Sequence, residues 1–161
     1  MEIADIIIIC RLKMQQKTTI MIMTNTSRLT NNNNKSTKKR ILIIDDEDDI
    51  NLAIKVVLEN DGFEVTTFND PLEALRDYKA NLYDLVLLDI RMPTMDGLGV
   101  YQRIRKLDDK VEICFLTAGS LNLDEEFAKQ VFPILEKEDR FIRKPVSNEE
   151  LIKRVKQMTL I

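Results

Sequence analysis

Acidic residues follow two apolar runs of this sequence, and a threonine and a lysine follow two others. Asp45 and Asp46 come after "RILII", and Asp89 comes after "LVLL". Thr117 follows "EICFL", and Lys144 follows "FIR". Carboxylates are hard oxygen ligands for a cation, whereas an ammonium and a hydroxyl suit a phosphoryl group. The residue types therefore indicate a cation site beside an anion site, provided that the fold brings the four runs together.

The segments between these runs predict a fold that does so. From Arg40 onward, short apolar runs alternate with amphipathic stretches of helical spacing, which indicates five strands and five helices. Parallel strands need such crossovers, and nearly continuous Val, Ile and Leu runs are typical of a sheet covered on both faces. We therefore predict a doubly wound α/β domain. In such sheets, sites lie beyond the carboxyl ends of the strands.

Local signals mark several of the predicted helix ends. Asp70 is a candidate N-cap, followed by Pro71 at the first helical position. Ser147 and Glu150 have the spacing of a capping box. Pro133 is expected to end or kink the fourth predicted helix, "LDEEFAKQVFPILEKE".

Three carboxylates that converge at one sheet edge would repel one another. Protonation of some of them, or a bound hard cation, relieves this repulsion. An all-oxygen site suits Mg²⁺, with Mn²⁺ as a second candidate. For Glu47, Asp48 and Asp49, helix capping and pairing with the helix dipole are sufficient explanations. For the Asp96–Gly97 pair we predict a simple turn.

Charge divides the chain into a tail and a body. Residues 1–40 carry eight lysines and arginines against two acids, and the remainder carries 16 against 25. An acidic body does not attract nucleic acid, so no direct nucleic-acid binding is expected. We predict that residues 1–38, an Asn-rich basic extension, are disordered, with initiation at a later methionine as an alternative. The apolar start of this extension is too short to span a membrane.

Histidine and cysteine usage narrows the chemistry further. The chain has no histidine, which excludes histidine catalysis and an internal phosphohistidine relay. Its two cysteines, Cys10 and Cys114, make no disulfide framework, and we expect Cys114 to be a small buried apolar residue. We therefore expect a cytoplasmic setting.

Four segments together resemble the receiver domain of two-component response regulators. They are "LIIDDE", "LLDIRMPTMDG", "FLTA" and "FIRKP", each at the end of a predicted strand and in the family's order. The resemblance covers roughly residues 39–158. It implies a flavodoxin-like fold with strand order 2-1-3-4-5, a receiver domain over residues 39–161, and use of Mg²⁺.

The resemblance also implies roles for the acidic residues. Asp89 would be the phosphoacceptor. Asp46 would hold Mg²⁺ directly and Asp45 through water. Asp89 would add a carboxylate oxygen to the metal and Arg91 its backbone carbonyl, so the side chain at position 91 is free to vary.

On the opposite side of the pocket, the resemblance implies phosphoryl-binding and switch residues. Lys144, the Thr117 hydroxyl and the Ala118 amide would contact the phosphoryl group. Phe141 would be the switch aromatic, although a core aromatic explains it almost as well. The peptide bond before Pro145 is expected to be cis.

The function implied is a phosphorylatable switch in a two-component system or phosphorelay. Its expected partners are a sensor histidine kinase or phosphotransfer protein and a separate downstream protein, because no output domain is expected in this chain. A homodimer on phosphorylation is a further partner to test. The protein is expected to be no enzyme beyond its own aspartyl phosphorylation and dephosphorylation.

Two other functions compete with this one. A phosphohydrolase of the haloacid-dehalogenase type also uses an aspartyl nucleophile, but it needs a second Asp where this chain has Arg91. An interaction domain without a switch would not need the complete set of pocket residues.

Residues 130–141 depart from the family pattern through Pro133 and a charged run, so no family partner is assigned to the output face.

Overall fold

The computed structural model describes residues 38–118 and 140–160, which contain a five-stranded parallel sheet. The strands are β1 (Arg40–Ile44), β2 (Glu64–Phe68), β3 (Leu85–Asp89), β4 (Glu112–Ala118) and β5 (Phe141–Lys144). They pair in the order β2-β1-β3-β4-β5, with every pair parallel. The predicted doubly wound, flavodoxin-like fold is thereby confirmed.

The described helices cover both faces of the sheet. They are α1 (Asp48–Asn60), α2 (Pro71–Asp77), α3 (Gly97–Leu107) and α4 (Asn148–Thr159). Side chains alternate along each strand, so β1 sends Ile41 and Ile43 into one apolar cluster and Leu42 and Ile44 into another. The first cluster includes residues of α1 and α4, and the second includes residues of α2 and α3. The core therefore holds the central strands rigidly from both sides.

Capping residues begin three of these helices. The Asp70 carboxylate accepts a hydrogen bond from the Leu72 amide at 2.9 Å, and Ser147 Oγ accepts one from the Glu150 amide at 3.2 Å. Asp96, interpreted from the sequence as a turn residue, is the N-cap of α3, and its carboxylate accepts from the Gly99 amide at 2.7 Å. The turn prediction was incomplete because the Met-Asp-Gly signature also suits a helix start.

Some predictions concern residues outside the described part of the chain. The Asn-rich extension and the fourth predicted helix, with Pro133, both lie there.

Cys114 lies in β4 with its side chain buried, and burial raises the pKa of its thiol to about 12. Of the helices in residues 38–118 and 140–160, none is both long and apolar enough to cross a membrane.

Candidate functional site

Asp89 is the last residue of β3 and lies at the carboxyl edge of the sheet. Every residue of this strand is buried, and the ladder continues one step further through the Ile90 amide, which donates to the Leu116 carbonyl at 3.1 Å. One oxygen of the Asp89 carboxylate accepts from the Arg91 amide at 2.7 Å. The other lies 2.8 Å from the Lys144 ammonium. The carboxylate is therefore held at both oxygens before any ligand arrives.

Lys144, the last residue of β5, contacts the carboxylates of both Asp45 and Asp89. Its ammonium lies 2.5 Å from an oxygen of Asp45, 2.8 Å from Asp89 and 3.9 Å from Glu47. Burial alone would lower the pKa of Lys144, but hydrogen bonds to Asp45 and Asp89 outweigh burial and raise it. The cation is thus bound by two carboxylates from two different strand ends.

Asp45 follows β1 and is fully buried, whereas Asp46 is exposed at the rim. The second oxygen of Asp45 accepts from the Glu47 amide at 3.1 Å, which fixes the first bend of the chain after β1. In residues 38–118 and 140–160, no three His, Cys, Asp or Glu side chains are grouped so as to hold a metal ion. The structure therefore brings Asp45 and Asp89 together through Lys144, whereas the Asp46 side chain is exposed to solvent.

Glu47 differs from the sequence interpretation. It occupies the N-cap position of α1, but its side chain makes no capping hydrogen bond. Its carboxylate instead lies at the outer side of the Lys144 ammonium. Capping is therefore not what this side chain does, and the acidic pocket extends one residue further along the chain than predicted.

The electrostatics of Asp89 reflect its burial. Removal from water raises the pKa of its carboxyl group, and the nearby Asp45 charge raises it further. Lys144 and the Arg91 amide act in the opposite direction, but the net shift is upward. Burial therefore outweighs the stabilising effect of Lys144 on the ionised Asp89 carboxylate.

By the chemistry of their donor atoms, although not by their grouping in residues 38–118 and 140–160, these residues fit a hard cation. The donor set is made only of oxygens, and an ammonium already sits between Asp45 and Asp89. The exposed carboxylates of Asp46 and Glu47 add charge at the rim. Such a set suits Mg²⁺ or Mn²⁺ better than a soft metal, for which the described pocket offers no sulfur or imidazole ligand.

Thr117 and Ala118 end β4 between the strands that carry Asp89 and Lys144. Asp89 pairs with Leu116 in the sheet, so Thr117 lies one residue beyond the level of Asp89. Ala118 pairs with Lys144. Thr117 is buried, at 3% exposure. The sheet register therefore brings the predicted hydroxyl and backbone amide to the same edge as the acidic residues.

Phe141 begins β5 and belongs to a row of aromatic rings. Its ring centroid lies 6.0 Å from that of Phe115, which lies 5.7 Å from that of Tyr101. The Phe141 carbonyl accepts from the Arg154 guanidinium at 2.8 Å. Phe141 is half-buried, so both interpretations, a switch residue and a core aromatic, are compatible with its packing. At the other end of β5, the Lys144–Pro145 peptide is cis.

Two further residues near the site were not assigned to it from the sequence. A Cβ on Gly97 would lie 2.2 Å from the Asp89 carbonyl oxygen, so glycine is needed for the close approach of α3 to β3. The Asn51 amide lies on the apolar face of α1 and donates to the Asp45 carbonyl at 2.6 Å. A polar residue at an apolar helix position was the one signal that could have revealed Asn51.

Comparison with known proteins identifies the arrangement. A family model described as the response regulator receiver domain matches residues 41–156. The transcriptional regulatory protein PrrA of Mycobacterium bovis is 36% identical over 110 residues, covering 68% of this chain and 45% of the relative. A CpxR homolog of Haemophilus influenzae is also 36% identical over 110 residues, covering 67% and 45%. The chain thus spans less than half the length of these curated relatives.

Solved structures agree with this result. The response regulator TrrA from Thermotoga maritima, in complex with Mg²⁺ and beryllium fluoride, is 34% identical with a TM-score of 0.60, covering 74% of this chain and 98% of that one. The non-phosphorylated HemR receiver domain from Leptospira biflexa is 28% identical with a TM-score of 0.66, covering 77% and 96%.

Proposed function

This chain belongs to the response regulator receiver domain family of two-component systems, and on that premise we propose that it is a switch phosphorylated on Asp89. The observation that carries the proposal is the Asp89 carboxylate held between the Arg91 amide and the Lys144 ammonium. Because the chain has no histidine, the phosphoryl donor is a separate histidine kinase or phosphotransfer protein.

Phosphoryl transfer would proceed by attack of an Asp89 carboxylate oxygen on the phosphorus of a phosphohistidine. A P–O bond forms, the P–N bond breaks, and the electron pair leaves with the donor's imidazole. The new phosphoryl oxygens then accept hydrogen bonds from the Lys144 ammonium, the Thr117 hydroxyl and the Ala118 amide. The reaction that the protein catalyses is confined to its own Asp89. We therefore propose a signalling protein and not an enzyme that acts on a separate substrate.

A divalent cation completes the pocket in this proposal. Asp45, Asp46, Asp89 and the Arg91 carbonyl would hold Mg²⁺, which would neutralise charge on the phosphoryl oxygens. The excess of carboxylates around Lys144 supports this assignment, as does the Mg²⁺ complex of the related TrrA. Mn²⁺ shares the same preference for oxygen ligands and is the second candidate.

The response is proposed to be a change in protein binding. Phosphorylation places a phosphoryl group that carries roughly two negative charges beside Thr117 and Lys144. Thr117 lies in β4 and Lys144 in β5, and these strands also carry Phe115 and Phe141, whose rings are in contact. The output would then be read at the surface formed by β5 and α4. The relatives are named transcriptional regulators, and the absence of an output domain in this protein stays a prediction, as does a homodimer on phosphorylation.

Intact-mass spectrometry tests the phosphorylation directly. The protein is mixed with a small acyl phosphate donor, with Mg²⁺ or with a chelator. We expect one added phosphoryl group that requires the metal and is absent from Asp89→Ala. Equal labelling of parent and variant would refute the assignment of Asp89. Size-exclusion chromatography of the labelled protein tests the homodimer.

A further inference from the structure

Asn51 joins two strand ends beneath the acidic pocket. It lies in the first turn of α1 with 5% exposure. Its side-chain nitrogen donates to the Asp45 carbonyl at 2.6 Å and to the Phe68 carbonyl at 3.2 Å. An amide nitrogen has two hydrogens. Each is used for one strand end, β1 through Asp45 and β2 through Phe68.

Among residues 38–118 and 140–160, this arrangement leaves the buried amide oxygen of Asn51 without a hydrogen-bond partner. The amide cannot be turned over to relieve this, because its oxygen would then face two carbonyl oxygens. A buried acceptor without a partner is unfavourable, whereas an apolar residue at the same helix position would carry no such penalty. The two donated hydrogen bonds must therefore serve a purpose that an apolar residue would not.

The residue that Asn51 fixes is the one that meets Lys144. The main chain of Asp45 is held from both sides, since its amide donates to the Phe68 carbonyl at 3.2 Å and its carbonyl accepts from Asn51. Its carboxylate then reaches the Lys144 ammonium, which also holds Asp89. A shift of the Asp45 backbone would thus be transmitted to the cation and the phosphoacceptor.

We propose that Asn51 is a positioning residue for the acidic metal-binding loop, acting through the Asp45 backbone. This inference rests on the proposed Mg²⁺-dependent function. A role limited to attaching α1 to the sheet is a weaker explanation, because the buried apolar face of α1, with Ile54 and Leu58, already does this. Changes in residues that support metal ligands typically weaken metal binding by about 10-fold to 100-fold.

The test is Mg²⁺ titration of the folded protein followed by amide NMR. Asn51→Leu keeps a side chain of similar size but removes both donated hydrogen bonds. We expect its Mg²⁺ dissociation constant to rise about tenfold, together with shifted amide signals of Asp45 and Glu47. Asn69→Leu is the matched control. It removes an exposed amide that bonds Asp48 at 2.8 Å near the same loop, and we expect parental affinity from it.

A second pair of variants covers the case in which Asn51→Leu does not fold. Asn51→Ala removes the amide and some volume, whereas Val57→Ala removes only buried volume from the same helix. A tenfold loss of Mg²⁺ affinity in the first but not the second supports the proposal. Equal affinities of both with the parent, or equal losses in both, overturn it.

The outcomes also separate this inference from the proposed function. A parent protein that binds Mg²⁺, with Asn51 variants within twofold of it, refutes the positioning role alone. A parent that binds no Mg²⁺ refutes the metal-dependent function. In that case the amide signals of Asp45 and Glu47 decide the positioning role: unchanged signals in Asn51→Leu overturn it, and shifted signals uphold it.

Discussion

Replacing Gly97 by alanine tests how closely α3 must approach β3, the strand that ends at Asp89. An added Cβ would lie 2.2 Å from the Asp89 carbonyl oxygen and 3.0 Å from the Ile90 Cα. Non-bonded contacts to carbon lie at about 3.5–4.0 Å, so backbone atoms must separate by about 1 Å. Neither contact is with the flexible end of a side chain, so the strain falls on the main chain that carries the Asp89 carboxylate.

The cost can be estimated from two opposing effects. Overpacking of this kind costs about 1–3 kcal/mol, and the higher helix propensity of alanine returns up to about 1 kcal/mol. We expect a net loss of about 1–2 kcal/mol. With a urea dependence of about 2 kcal/mol per molar, the unfolding midpoint falls by about 0.5–1 M. If the Asp89 carboxylate is the proposed nucleophile, its displacement by about 1 Å should slow phosphorylation by up to about 100-fold.

Gly99→Ala is the matched control in the same helix. Its Cβ would meet the Met95 Cγ at 3.1 Å and an oxygen of Asp96 at 3.2 Å, both in side chains that can move by a few tenths of an ångström. We expect stability within about 0.5 kcal/mol of the parent and a parental phosphorylation rate. If Gly97→Ala matched Gly99→Ala in both urea unfolding and phosphorylation rate, the close-approach argument would be wrong.

Three further predictions concern charge. Lys144→Ala leaves Asp45 and Asp89 buried without their cation. Urea unfolding should therefore show that the free energy of unfolding falls by about 3 kcal/mol and that added Mg²⁺ restores part of it. An unchanged unfolding midpoint would contradict this. Because the pKa of Asp89 is raised on folding, the native state binds more protons than the unfolded state, and stability falls as pH rises from the unfolded value through the folded one. Asp89→Asn removes this pH dependence, so the variant should become more stable relative to the parent as pH rises from the unfolded-state to the folded-state pKa of Asp89. Urea unfolding at several pH values measures this difference. Identical pH profiles of stability in parent and variant would refute the prediction. Asp108→Ala, at the opposite sheet edge, removes an acceptor of hydrogen bonds from three backbone amides and the Tyr78 hydroxyl, so it should destabilise by about 3 kcal/mol while the folded protein keeps its phosphorylation rate.

The fold was predictable because its strands are unusually clear in the sequence. "RILII" and "LVLL" are continuous apolar runs, and in the structure every residue from Ile41 to Ile44 and from Leu85 to Leu88 is buried. Parallel strands with helical crossovers align their carboxyl ends, so topology predicts that Asp89 and Lys144 share one sheet edge, and the resemblance to receiver domains added their contact. The spacing of residues in the sequence could not predict that the Lys144 ammonium bridges Asp45 and Asp89 directly, at 2.5 and 2.8 Å.

Other features could not be predicted because they depend on packing between distant segments. Gly97 matches a turn signal, and only the position of the Asp89 carbonyl shows that a Cβ has no room. Asn51 is a polar residue at an apolar helix position, but its role depends on the Phe68 carbonyl, which is 17 positions away. The position of Glu47 in the sequence predicts a helix cap, but its side chain makes no capping hydrogen bond, and its carboxylate lies 3.9 Å from the Lys144 ammonium.

The central claim is that Asp89 accepts the phosphoryl group in a Mg²⁺-dependent pocket. The most direct measurement is to phosphorylate the full chain, reduce the acyl phosphate with borohydride and locate the resulting homoserine by tandem mass spectrometry. We expect homoserine at position 89 only, with none formed when Mg²⁺ is chelated. Homoserine at Asp45 or Asp46, or the same yield at position 89 without a divalent cation, would contradict it.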